Sequence, residues 1–312
     1  MSRKSEDRAT GLLLIDKPAG LTSHDVVARV RKLAGQKRVG HTGTLDPMAT
    51  GLLAVLLGRA TRLEPWLTKM DKVYTGRIEL GLATDTDDVT GRPLARSQGP
   101  WPDETVLRQT LAGYEGPHEQ RPPAYSAIKV DGRRAHQAAR AGTPLELKAR
   151  PVIARRLEVL VYAPPFFNFR AEVGSGYYIR SLARDLGAEL GLGGALSALR
   201  RESVGPWSRT GALTLDELAE WTAEDWQQRP VPPAEALPHL TGVTLDEEAA
   251  RRFGMGQKVA APDLTGGPET YKILNQAGDL IGLADCAETS LGGSAVPPGP
   301  YLRPLRVFNP GD

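Results

Sequence analysis

Arg38-Val39-Gly40-His41-Thr42-Gly43-Thr44-Leu45-Asp46-Pro47, followed by Met48-Ala49-Thr50-Gly51, is the densest polar run of the chain. Its glycines and threonines punctuate it too heavily for a regular element, so a loop is expected over Gly40–Pro47. Asp46 precedes a proline, which biases its backbone to extended geometry. A carboxylate held that way can point out of the loop toward a cleft. Asp before Pro is also an ordinary turn residue, and these residues alone leave both open.

Working outward, Gly11–Ile15 reads as a buried strand, and Ser23 is expected to cap a helix over His24–Leu33 with Val26, Val27, Val30 and Leu33 on one face. After the loop, Leu52–Leu57 is a short apolar strand, Ala60–Thr68 a helix, and Val73–Leu80 an alternating strand. Asp103 is expected to cap a helix over Glu104–Ala112, and Arg134–Arg140 forms a shorter one. Ile153–Tyr162 and Phe167–Val173 are strands joined at Pro164-Pro165. Ile179–Leu190 has helical spacing and stops at Gly191, and Thr214 begins a last amphipathic helix. Residues 228–238, QRPVPPAEALP, read as a Pro-rich linker. Beyond it, residues 241–310 have the Gly/Pro-rich profile of a small β-rich domain, with apolar runs at Lys272–Leu274, Leu280–Leu283 and Leu305–Phe308. Without a regular βαβ rhythm, the pattern predicts an α+β fold on a mixed sheet.

The 312 residues suffice for one large unit and a smaller one, or for two middling ones. Charge is unevenly spread: residues 1–77 hold 14 Lys/Arg against 7 Asp/Glu, a balance of +7, and residues 120–210 hold 15 against 7, or +8. The intervening 78–119 stand at −5, 211–240 at −5 and 241–312 at −3. Two basic blocks separated by acidic ones suit a positive face for nucleic acid, though solvated Arg-rich faces would give the same count. One cysteine, Cys286, excludes an internal disulfide. There is no apolar run near bilayer length and no secretory h-region, so a cytoplasmic protein without a membrane partner is expected.

The chain carries no Walker loop, no dinucleotide fingerprint, no Gly-x-Ser-x-Gly elbow and no His-Glu-x-x-His. Thr84-Asp85-Thr86-Asp87-Asp88 starts like a calcium loop, but Val89 and Thr90 follow where Asp/Asn and Gly are needed. It reads instead as an acidic turn closed by side-chain hydrogen bonds. The scattered histidines offer no zinc site, and the expected function uses no metal and no cofactor.

The run from Gly40 to Gly51 resembles the signature of the TruB family of tRNA pseudouridine-55 synthases. Further matches follow in family order over about residues 11–205: Asp16-Lys17-Pro18-x-Gly20-x-Thr22-Ser23, Asp71-Lys72-x-Tyr74, Thr84-Asp85-Thr86-x-Asp88, Pro123-x-Tyr125-Ser126-Ala127-x-Lys129, Gly176-x-Tyr178-Ile179-Arg180 and Leu199-Arg200-Arg201. The resemblance implies a pseudouridine synthase fold, a mixed and largely antiparallel sheet flanked by helices and loops. It also implies a catalytic domain at 1–238 and a small PUA-like domain at 239–312. It implies a monomer that acts on the tRNA T arm without guide RNA. By similarity Asp46 is the catalytic carboxylate, Arg180 its partner, and Tyr74 lies against the target uracil. His41 contacts flipped nucleotides, and Tyr178 and Leu199 wall the pocket, where core packing is a nearly equal alternative. Tyr177 stands where the family has a small residue, which bears on pocket geometry.

Two other functions fit parts of the pattern. A pure RNA-binding module would need the basic blocks but not the carboxylate. A nucleosidase would need a second acid for the leaving base, and no paired carboxylate stands out near Asp46.

Overall fold

The computed structural model describes residues 9–130, 132–261, 264, 270–288 and 300–308. A nine-stranded sheet forms its centre. The strands are β1 (Gly11–Lys17), β2 (Val39–His41), β3 (Thr50–Leu57), β4 (Lys72–Leu80) and β5 (Gly116–Gln120), then β6 (Arg150–Ala163), β7 (Phe166–Val173), β8 (Gly194–Val204) and β9 (Trp207–Ser208). The order is β1-β3-β8-β4-β7-β6-β5, with β2 on β3 and β9 on β8. Every described pairing in it is antiparallel except β3 with β8. That parallel contact sets Arg200 opposite Thr50 and Arg201 opposite Gly51, at the exit of the 42–49 loop.

The sheet buries one face under α2 (Glu104–Ala112) and α3 (Ile179–Glu189), whose Leu107, Leu111, Leu182 and Leu186 pack on Ile78, Phe167, Phe169 and Leu196. Near β1 it packs under α1 (Ser23–Ala34), α4 (Leu215–Ala219) and α5 (Ala223–Gln228). Strands and helices thus mix without βαβ alternation, the expected α+β class. No helix among the described residues is long and apolar enough to cross a membrane.

Several local expectations change. The cap of α1 is Thr22, not Ser23: Thr22 and Asp25 exchange side-chain and backbone bonds in a capping box. Ser23 turns inward instead. Ala60–Thr68 splits into a 3₁₀ stretch at Gly58–Leu63 and a four-residue helix at Glu64–Leu67, because Pro65 can open a helix but not continue one. Asp103 occupies the N-cap of α2 without a side-chain bond to it. Gly194–Val204, which carries helix-favouring Leu, Ala and Arg, is a central strand; pairing on both edges overrides local preference.

The Pro-rich stretch is not a free spacer. Val231 exchanges backbone hydrogen bonds with Leu12 at 2.8 and 2.9 Å, covering the outer edge of β1, and Ala236 and Leu237 are fully buried. They join a cluster with Leu12, Leu56 and Leu63 that also takes in Leu280, Leu283 and Phe308. Leu280 and Leu283 belong to a second, five-stranded sheet, and Phe308 directly follows its last strand. Its strands are β10 (Thr241–Thr244), β11 (Val259–Ala260), β12 (Tyr271–Leu274), β13 (Leu280–Glu288) and β14 (Pro300–Val307), ordered β10-β12-β13-β14-β11. With α6 (Glu247–Gly254) it encloses its own core of Leu245, Phe253, Tyr271, Ile273 and Leu302.

Candidate active site

The loop that carries Asp46 is fastened at both ends and from below. Arg201, buried in β8, donates from Nη2 to the Gly43 carbonyl at 3.1 Å and from Nε to the Leu52 carbonyl at 2.7 Å, so one guanidinium spans the loop. The Ser23 hydroxyl accepts from the Leu45 N–H at 2.8 Å and donates to the Leu45 carbonyl at 3.2 Å. Buried Lys17 donates from Nζ to the carbonyls of Pro18 at 2.9 Å, Leu21 at 2.7 Å and Pro47 at 3.4 Å. At Gly51 the backbone has φ +98°, and a Cβ would lie 2.3 Å from the Arg201 carbonyl, so glycine is required where β3 meets β8.

Asp46 therefore sits on a rigid support with its side chain 32% exposed, while the guanidinium behind it, Arg180, is 6% exposed. Arg180 opens the first turn of α3. Its Nε donates to Asp46 Oδ2 at 2.7 Å and its Nη2 to Oδ1 at 3.0 Å, a bidentate fork. The remaining donors are also directed: Nη1 to the Thr86 carbonyl and Nη2 to the Tyr125 carbonyl, each at 3.0 Å. Asp88 Oδ2 lies 3.8 Å from Arg180 Nε.

The acidic run behaves as a turn. Asp88 Oδ1 accepts from Thr86 Oγ1, Thr90 N and Thr90 Oγ1, while Asp85 accepts from Arg92 N. These carboxylates thus face separate protein donors. Among the described residues no group of three or more His, Cys, Asp or Glu side chains could hold a metal ion.

Tyr74 on β4 and Leu199 on β8 are buried in the core cluster that also contains Leu45, the neighbour of Asp46. Tyr178 precedes α3, with its backbone locked by Gln120 through two hydrogen bonds of 2.8 and 3.1 Å. Burial pushes its hydroxyl pKa up; of the charges acting on it, Arg180 opposes that rise and Asp46 adds to it. The His41 Nδ1 accepts from the Gly43 N–H at 3.2 Å, which assigns the ring proton to Nε2. Burial, then the neighbouring His24 and Arg201, hold His41 below the ordinary histidine range. The two histidine rings meet edge to face at 5.4 Å.

Tyr177 is buried in the same core cluster as Tyr74 and Leu199, with its ring 5.6 Å from His118, which in turn lies 5.9 Å from Tyr114. Lys17, Lys72 and Arg201 each lie inside one of the matching motifs, which carries no sign of their burial; their placement and partners are set by tertiary structure.

Taken together, an open carboxylate backed by a buried guanidinium beside aromatic and aliphatic side chains suits covalent or proton-transfer chemistry on a nucleoside. Residues 31–179 match the family model for the N-terminal domain of TruB family pseudouridylate synthases, and residues 180–238 match that for the tRNA pseudouridylate synthase B C-terminal domain. The tRNA pseudouridine synthase B of Thermobifida fusca is 48% identical over 81% of this chain and 87% of its own. That of an Arthrobacter species is 40% identical over 96% and 97%. Among solved structures, a chain of a Cbf5-Nop10-Gar1 complex superposes with a TM-score of 0.74 at 28% identity, covering 97% of this chain and 86% of that one.

Proposed function

The chain belongs to the TruB family of pseudouridylate synthases and forms pseudouridine in tRNA, and on that premise we propose that it isomerises uridine 55 of the T loop with Asp46 as its catalytic carboxylate and without guide RNA. The reaction breaks the N1–C1′ bond, turns the uracil and joins C5 to C1′, releasing the C5 proton. It is an isomerisation with no redox change and no acceptor. A single ionised carboxylate beside the sugar or base serves any of its routes, whether attack at C6, attack at C1′ or abstraction of a sugar proton.

The observation that carries this reading is the fork from buried Arg180 onto the partly open Asp46. A guanidinium so placed holds the carboxylate in one orientation through two parallel hydrogen bonds. Around it, Tyr74 is assigned to the face of the uracil and to proton transfer at C5, where base stacking is worth about 1–3 kcal/mol. Tyr178 and Leu199 are assigned to the pocket wall. His41 takes the space vacated by the extruded nucleotide, whose flipping costs a few kcal/mol. Residues 1–238 are assigned to catalysis and 239–312 to the PUA-like unit.

Asp46→Asn should abolish tritium release from C5-labelled uridine in a tRNA transcript while leaving tRNA binding within several-fold; undiminished release would refute the assignment. The mass of treated tRNA should stay unchanged, since hydrolysis would remove the base. Purified protein alone should act on the transcript, whereas activity appearing only with an added guide complex would end the stand-alone reading.

A further inference from the structure

Arg184 lies one helical turn after Arg180 on α3, so the two side chains share a face. All three of its side-chain nitrogens are directed. Nη1 donates to Asp87 Oδ2 at 3.0 Å, Nη2 to the Arg121 carbonyl at 2.8 Å and Nε to Asp185 Oδ1 at 2.8 Å. The first two acceptors belong to the two backbone segments that also engage Arg180.

On one side is the acidic turn. Asp87 has φ +62°, the one non-glycine with positive φ among the described residues. Asp tolerates this conformation, but a partner must hold it there. Its backbone is tied to β8 through the Leu196 N–H at 3.0 Å, and its carboxylate, 12% exposed, is tied to α3 by Arg184. Immediately before it, Thr86 presents its carbonyl to Arg180 Nη1; immediately after it, Asp88 faces Arg180 Nε. A change of backbone at Asp87 would move both.

On the other side, residues 121–128 contain no helix or strand. The Arg121 carbonyl accepts from Arg184 Nη2 and from Ser181 Oγ at 2.8 Å, and four residues later the Tyr125 carbonyl meets Arg180 Nη2. An irregular segment keeps a carbonyl at 3.0 Å only where something anchors it. Here one anchor, at Arg121, comes from the same helix as the guanidinium, and another comes from His136, whose backbone N–H donates to the Ser126 carbonyl at 3.0 Å.

We propose that Arg184 is a positioning residue for the Asp46–Arg180 pair, bracing the 84–91 turn and the 121–126 segment whose carbonyls fix the Arg180 guanidinium. It makes no contact with Asp46 itself and acts through Arg180. The proposal rests on the reading of Asp46 and Arg180 as the catalytic pair.

The test is tritium release from C5-labelled tRNA transcript by the full chain, with kcat and KM separated and thermal melting recorded for each variant. Arg184→Ala should lower kcat by about tenfold or more with KM within about threefold, the signature of a misaimed group rather than a lost RNA contact. Asp87→Ala should behave alike. Asp87→Asn keeps an acceptor and tolerates positive φ, so it should recover kcat to within about threefold of the parent. Because both act on one guanidinium, the double variant Arg184→Ala with Asp87→Ala should be no slower than the worse single.

A raised KM with kcat intact would make Arg184 an RNA contact and overturn the proposal. So would additive losses, or a loss that disappears when the assay is run well below the melting temperature. Asp46→Asn, run in parallel, separates the two levels. If it is inactive while Arg184→Ala is fully active, only the positioning role fails; if it is active, the catalytic reading fails.

Discussion

Besides Arg180, three cations are buried around the loop that carries Asp46: Lys17, Lys72 and Arg201. Lys72 donates from Nζ to the carbonyls of Thr68 and Met70, both at 2.6 Å, and a Cβ on Gly43 would stand 4.0 Å from its Cε. Burial lowers its pKa from 10.5 to about 8, and Arg201 adds to the effect. The unfolded chain therefore binds more protons at Lys72 than the folded one between about pH 8 and 10.5, so this residue makes stability rise with pH in that window. Below it Lys72 is charged in both states and contributes no slope. The neutral amine still has protons for both carbonyls, so deprotonation keeps the contacts. Denaturant unfolding of the parent and Lys72→Met should give a constant stability difference up to about pH 8, then a gain for the parent approaching about 1.4 kcal/mol per pH unit. A difference flat through pH 10 would place the titration at the ordinary lysine value. At this scale Asp46 and Arg180 were singled out by motifs that resemble a family signature, and the fold brings the two side chains together. Lys17, Lys72 and Arg201 were not singled out, because a buried lysine and a solvated one look alike until the fold places them.

The parallel contact between β3 and β8 is the element on which the site geometry turns. It brings Arg201 beneath a loop about 150 residues earlier in the chain, and it leaves no room at Gly51. Gly51→Ala combines a φ of +98° with a Cβ at 2.3 Å from a backbone carbonyl that cannot rotate away. Strain of this kind costs about 1–3 kcal/mol before the clash is counted. The variant should therefore lose at least about 2 kcal/mol in urea unfolding, with tritium release falling beyond the loss of folded protein. Unchanged stability would mean that β3 and β8 can separate there without consequence. Strands with alternating or apolar runs, such as Val73–Leu80 and Phe167–Val173, could be read from side chains alone. β8 could not: Gly-Ala-Leu-Ser-Ala-Leu-Arg-Arg is a helix-favouring string, and only its two flanking strands make it extended. The cap of α1 is displaced by one residue from the expected one: Thr22 has Asp25 three residues on to complete a capping box, whereas Ser23 has Val26 there and directs its hydroxyl to Leu45.

Across the whole molecule, the parallel contact also joins the two basic blocks in one sheet, while α4 and α5 of the acidic 211–240 segment pack with α1 beside β1. The Pro-rich segment that composition presented as a spacer is the seam between the two sheets. Lys272 donates from Nζ to the Ala234 carbonyl at 3.0 Å and to the Leu237 carbonyl at 3.3 Å, and Arg62 Nη1 donates to the Val307 carbonyl at 3.2 Å. Leu280, Leu283 and Phe308 share a buried cluster with Leu12, Leu56, Leu63 and Leu237. Fully burying one such side chain is worth about 1.5–3 kcal/mol, so losing three removes roughly 4–9 kcal/mol, comparable with the about 5–15 kcal/mol that holds a typical domain folded. A chain ending at residue 238 should therefore unfold at a clearly lower urea concentration than the full chain and bind a dye specific for exposed apolar surface. Leu283→Ala in the full chain should move the same transition in the same direction, by about 2–5 kcal/mol. If residues 228–238 acted only as a tether, truncation would leave the midpoint of the larger sheet where it was, and Leu283→Ala would destabilise only the smaller one.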